Sequence, residues 1–197
     1  MIEPGTQTIW QAFAARAGLY PDRPLFNVMA ETAKIYGIES GEMSYRRVQE
    51  QVTELAAALQ QKGYGPGFRV MLLLENRPQF FVWLLALNRI GASVVPVNPD
   101  LRHSELTYMA GHSEPSLIVA LADRCDGLVT AAREAGLSVP VIAPGDPVPQ
   151  PGTAGPVALR VDETDEALGG EEMEAALLYT SGTTGSPKGC ILTNTYF

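Results

Sequence analysis

The chain has 197 residues, of which 46% are apolar and 18% charged, enough for one domain with a core or slightly more. Its 22 acidic against 14 basic side chains give a net charge of −8, so no basic field exists to hold nucleic acid or anionic lipid. Two cysteines, Cys125 and Cys190, stand in no metal-binding spacing; with no basic-apolar leader and no apolar run longer than Phe80 to Leu87, a cytoplasmic protein without a membrane span is expected.

From the amino terminus, residues 1–68 read as leading helices and a hairpin. Ile9, Trp10, Phe13 and Ala17 share one face of a helix over Thr6 to Tyr20 that stops near Gly18 and Pro21. Leu25–Met29 and Lys34–Ile38 are short apolar runs around a polar turn, which predicts a hairpin. Ser44 is placed to cap a helix reaching Lys62, with Val48, Val52, Leu55, Ala56 and Leu59 at steps of three or four before Gly63.

Residues 69–142 alternate buried strands with helices. The strands are Val70–Leu74, Ser93–Val97, Leu117–Leu121 and Val139–Ile142. The helices run from a cap at Asn76 to Gly91, from Ser104 onward, and from Ala122 to Ala135. That rhythm predicts an α/β fold, a doubly wound, mostly parallel half-sheet covered by helices on both faces. Residues 143–171, with Pro144, Pro147, Pro149, Pro151, Pro156 and the acidic run Asp162–Glu166, predict a long surface excursion.

Residues 172–197 carry the chemistry as strand, loop and strand. Between Ala175–Tyr179 and Cys190–Thr193 stands Thr180-Ser-Gly-Thr-Thr-Gly-Ser-Pro-Lys-Gly. Gly182, Gly185 and Gly189 permit close backbone approach, so that several N–H groups can converge on one anion. The hydroxyls of Thr180, Ser181, Thr183, Thr184 and Ser186 add short donors. Lys188 is the only cationic side chain from Asp162 to Phe197, and Pro187 stiffens the chain before it. These residue types describe a polyphosphate cradle. A Walker A loop would need glycine in place of Pro187 and a hydroxyl in place of Gly189, and Gly63-Tyr-Gly-Pro-Gly departs from the dinucleotide fingerprint and reads as a turn.

The whole ten-residue string resembles the phosphate loop of the adenylate-forming (AMP-binding) superfamily: acyl- and aryl-CoA synthetases, adenylation domains of peptide synthetases, and firefly luciferase. Met43-Ser-Tyr-Arg-Arg-Val, Leu87-Asn-Arg-Ile-Gly-Ala-Ser-Val-Val-Pro-Val-Asn-Pro and Ser104-Glu-Leu-Thr-Tyr-Met are similar to upstream motifs of that family, in the same order. The resemblance implies an ATP-dependent acid:CoA ligase using Mg2+ and coenzyme A. A small-molecule carboxylic acid becomes an acyl-adenylate and then a thioester, with Thr180, Ser181, Gly182, Thr183, Thr184, Gly185 and Lys188 contacting the β- and γ-phosphates. It also implies that the adenine and ribose motifs, the metal-binding glutamate and the catalytic lysine follow residue 197. The expectation is therefore the N-terminal part of a longer enzyme, inactive by itself. The alternatives are a silent binding module and a peptide-synthetase adenylation domain. Family members often carry Thr-His after the loop, the His lying close to the acyl pocket; Thr193-Asn194 stands here, which leaves the acid open.

His103 and His112 lack partners at metal spacing and read as solvated or capping residues, and both cysteines read as small apolar groups. The edge Ile191–Thr193 and a face carrying Phe80, Trp83 or Leu84 are expected to stand partly open and to drive self-association.

Overall fold

Five-residue apolar runs flanked by turn residues can bury both faces only inside a sheet covered by helices on each side. The computed structural model describes residues 8–157, 172–180 and 187–197, and these runs lie at its centre. Strands β3 (Arg69–Leu73), β4 (Ser93–Pro96), β5 (Leu117–Ala120), β6 (Val141–Ile142), β7 (Glu174–Thr180) and β8 (Lys188–Thr193) form one sheet in the order β6-β5-β3-β4-β7-β8. Every pairing is parallel except β7 with β8. A separate antiparallel pair joins β1 (Pro24–Val28) and β2 (Gly41–Ser44).

Successive side chains of β3 divide between two cores, as the period of two requires. Val70 and Leu72 face one way, packed with residues of α3 (Tyr45–Gln61) and α4 (Pro78–Arg89), and α1 (Ile9–Leu19) lies against these two helices. Met71 and Leu73 face the other way, under α5 (His103–Ser113) and α6 (Cys125–Glu134). Each of these buried aliphatic side chains contributes about 1.5–3 kcal/mol. The half-sheet expected from the sequence is thus present, with helices on both faces.

The cap of α3 is as expected: Ser44 Oγ accepts from the Arg47 N–H at 3.2 Å. Three local expectations are corrected. Lys34–Tyr36 is not a strand but the end of a helix, α2 (Ala30–Tyr36), closed by Gly37 at φ 62°, and the second strand of the pair is Gly41–Ser44. Arg77, not Asn76, stands at the N-cap of α4, because the residue before Pro78 is driven to extended backbone. On that helix Trp83 is 5% exposed and so closed rather than partly open, whereas Phe80 and Leu84 are half-buried and Ile191 on β8 is 49% exposed, as partly open groups would be.

Residues 143–157 lie along the domain. Val148 is buried, the Gly152 N–H donates to Ser116 O, and the Val157 N–H donates to Gly67 O. The rest of the expected excursion, 158–171, lies outside the described residues.

Two polar networks fasten the amino end of the sheet. Arg69 Nε and Nη2 each donate at 2.8 Å to the two oxygens of Glu174, and Ser93 Oγ donates to Glu174 Oε1 at 2.7 Å. These are the first residues of β3, β7 and β4. The bond to Glu174 holds the Arg69 guanidinium above its usual pKa, against the opposing effect of burial. Beside it, Asn194 Oδ1 accepts from Asn88 Nδ2 at 2.7 Å and from the Ile9 N–H at 3.2 Å, while Asn88 Oδ1 accepts from the Trp10 N–H at 2.9 Å. Thr8 Oγ1 takes the Gln11 N–H, so the N–H groups of Ile9, Trp10 and Gln11 that a helix start leaves open all have acceptors.

Candidate functional site

β7 is parallel to β4 with Val94 opposite Ala176, so Tyr179 and Thr180 run past Pro96 at the carboxyl end of the sheet. The strand order reverses between β3 and β5, with β4 and β7 following on the side of β3 away from β5. The chain then returns along β8, pairing Leu178 with Cys190, Tyr179 with Gly189 and Thr180 with Lys188. The ten-residue string is therefore mounted on a two-stranded ladder that opens at the carboxyl end.

Of the seven residues expected to contact phosphate, the structure brings Thr180 and Lys188 together as the last opposed pair of that ladder, both exposed. Directly opposed residues share one face of an antiparallel pair, so the hydroxyl and the ammonium stem leave the sheet on the same side. Ser181, Gly182, Thr183, Thr184 and Gly185 lie outside the described residues. Gly189 sits in close packing: a Cβ there would press on the side-chain end of Leu177, at 3.0 Å from Cδ1, and lie in ordinary contact with His112 Cε1 at 3.4 Å and Tyr179 Cζ at 3.5 Å.

His112 is the residue that sequence reasoning passed over. Its Nδ1 lies 2.7 Å from the Tyr179 hydroxyl, its ring stacks on Tyr108 with centroids 5.5 Å apart, and it meets the Tyr179 ring edge-on at 5.6 Å. Burial, above all, pushes the Tyr179 phenol up to about 12. The partners are 67 positions apart, beyond any local pattern. His103 bonds Glu134 at 2.7 Å on the surface. Cys125 is half-buried, its thiol raised mainly by burial, whereas Cys190 is exposed rather than the small buried group expected.

Asn194 faces away from the loop. Its buried side chain lies at the amino end of the sheet under α1, so what stands there in place of His bears on helix anchoring. Among the described residues, no three His, Cys, Asp or Glu side chains converge to hold a metal, and no helix is long and apolar enough to cross a membrane. A cavity of about 740 Å³ between the β1–β2 pair, α3, α4 and residues 144–148 contains none of the loop residues.

A sequence profile of the family described as AMP-binding enzyme matches residues 13–197. The chain belongs to this adenylate-forming family. Among its curated relatives, tyrocidine synthase 2 of Brevibacillus parabrevis is 31% identical over 186 residues, which is 94% of this chain and 4% of that protein. Among solved structures, VinN with 3-methylaspartate superposes with a TM-score of 0.71 at 18% identity, over 96% of this chain and 48% of VinN. A putative long-chain-fatty-acid CoA ligase from Rhodopseudomonas palustris CGA009 gives a TM-score of 0.71 at 22% identity, over 95% of this chain and 44% of the other. The two structures agree in fold. This AMP-binding chain spans less than half of each of these three proteins.

Proposed function

We propose that the loop from Thr180 to Lys188 holds the β- and γ-phosphates of ATP while a carboxylic acid is activated. In that reaction a carboxylate oxygen attacks the α-phosphorus, giving acyl-adenylate and pyrophosphate; a thiol, coenzyme A, then takes the acyl group and AMP leaves. The observation that carries the reading is the mounting of the loop: Thr180 and Lys188 are opposed and exposed at the carboxyl end of a doubly wound sheet. A departing pyrophosphate needs preorganised donors and a cation where its charge develops, and the string supplies hydroxyls, glycine-spaced N–H groups and one lysine. Mg2+ accompanies the nucleotide and supplies further charge neutralisation on the phosphates.

A second reading has a specific observation in its favour. The curated relatives named tyrocidine synthase 2 and surfactin synthase subunit 1 are 31% and 28% identical, which favours an amino acid substrate and a carrier-protein thiol over coenzyme A. A silent binding module would retain polyphosphate affinity without chemistry; the 1–197 fragment by itself is expected to self-associate where its sheet edge and helix face lack the cover of the rest of the protein.

ATP–pyrophosphate exchange separates these readings. It is measured with fatty, aryl and amino acids on the protein expressed from its whole reading frame and on residues 1–197. Exchange with an acid, followed by thioester formation on coenzyme A, is the expected result for the whole protein, and none is expected for 1–197. Thioester formation only on a carrier protein selects the second reading, and absence of exchange with every acid rejects both. Lys188→Ala should slow exchange roughly ten- to a hundredfold, the value of one charge-assisted hydrogen bond of about 1.5–3 kcal/mol. Sedimentation at rising concentration tests association.

A further inference from the structure

We infer that His112 is a positioning residue for the phosphate loop, acting through Tyr179; this rests on the phosphate-binding reading above. A single imidazole on α5 bonds one stem and lies beside the other. Its Nδ1 is 2.7 Å from the Tyr179 hydroxyl on β7, and its Cε1 faces Gly189 of β8, where a Cβ would stand 3.4 Å away in ordinary van der Waals contact. Tyr179 and Gly189 are themselves opposed in the ladder and each precedes or follows, by one residue, the Thr180–Lys188 pair. Tyr108, one turn earlier on α5, stacks on the ring at 5.5 Å and 27° and holds its plane.

The geometry sets the separation and tilt of the stems from outside the ladder. β8 is the edge strand, and β7 runs two residues past β4, so the ladder's last pairs have no further strand beside them. Hydrogen bonds between β7 and β8 hold the two strands to one another but leave the pair free to tilt about the sheet edge. The His112 contact ties that tilt to α5, a helix packed on the second core. Donors meant for a phosphate are effective only if their positions are fixed before the ligand arrives. The Tyr179 hydroxyl is the atom through which the imidazole acts on β7, and β8 follows through its ladder with β7.

The two halves of the contact can be removed separately in the full chain. His112→Phe keeps the ring against Gly189 and loses the bond; His112→Asn restores a polar atom near the Nδ1 position and loses the ring. Tripolyphosphate affinity is measured by calorimetry, and amide exchange is followed across 178–180 and 188–190. Expected for His112→Phe are faster exchange confined to those six residues, an affinity about three- to tenfold weaker, as for one neutral hydrogen bond, and a melting temperature close to wild type. Tyr179→Phe should weaken affinity equally, and the double variant no further. His112→Asn should recover most of the affinity. Unchanged exchange in His112→Phe, or faster exchange with wild-type affinity, overturns the positioning role while the phosphate reading stands. No tripolyphosphate affinity in the wild-type chain overturns the phosphate reading and this role with it.

Discussion

At the amino end of the sheet, the first residues of β3, β4 and β7 are joined through one carboxylate, Glu174, whose side chain is 1% exposed. At the carboxyl end, the last pair of the β7–β8 ladder is an exposed threonine facing an exposed lysine. The same strand thus begins in a fully satisfied ionic network and ends in polar groups directed at solvent. The difference teaches where a fold can place function: groups with all partners inside the protein hold strands in register, and polar groups left at the surface are available to meet a ligand.

The comparison breaks most severely at Arg69. Arg69→Met leaves the Glu174 carboxylate buried with Ser93 alone, and removing one partner of a buried pair costs about 3–5 kcal/mol. Urea unfolding should record that loss, and pairing the change with Glu174→Leu should restore much of it; a loss under about 1 kcal/mol would mean that the network does not fasten the strands. Asn194→His, also at the amino end, should cost about 1–3 kcal/mol by leaving the Ile9 N–H and Asn88 unpaired. It should leave tripolyphosphate affinity as it was, and a change in affinity would show that this end communicates with the loop.

An intermediate effect is expected from Tyr179. Its phenol is held up to about 12 from an ordinary 10, chiefly by burial, so folding favours the neutral form. That contribution is fully present below pH 10 and is lost as pH rises through about 12, on the order of 1 kcal/mol for a partly buried group. Thermal melts from pH 9 to 12 should fall more steeply in wild type than in Tyr179→Phe. Tyr64, whose buried hydroxyl has no partner among the described residues, keeps a second alkaline loss in both. Equal slopes would remove Tyr179 from the account. The smallest stability change belongs to Lys188→Ala, within about 0.5 kcal/mol, since Lys188 is exposed at the ladder's end; a larger loss would make it part of the fastening.

Elements with a strong period were legible in the sequence, and so were the two strands that flank the loop. The α3 stripe of Val48, Val52, Ala56 and Leu59 and its Ser44 cap appear as expected, and the runs of β3, β4 and β5 are strands. Lys34–Tyr36 misled because three residues with apolar character fit a strand as well as a helix, while the true partner of β1, Gly41–Ser44, has no alternation and is a strand only because β1 pairs with it. Arg69 with Glu174 lie 105 positions apart and Asn88 with Asn194 106 apart. Such pairs are chosen by three-dimensional proximity, and a single sequence carries no local trace of them. In the site, residue types suggested a chemistry for the loop, whereas the α5 contact to Tyr179 depended on how that helix crosses β7.

The antiparallel turn of β7 into β8 also has a consequence in chain statistics. The Thr180–Lys188 pair closes a ring around the seven residues 181–187, and closing a free segment of that length costs roughly 2 kcal/mol in lost configurations. Here the ladder meets that cost when the protein folds, before any phosphate arrives. Doubling the loop would add only about 0.6 kcal/mol, so loop closure constrains the length of the ring only weakly while its ends stay where the sheet puts them.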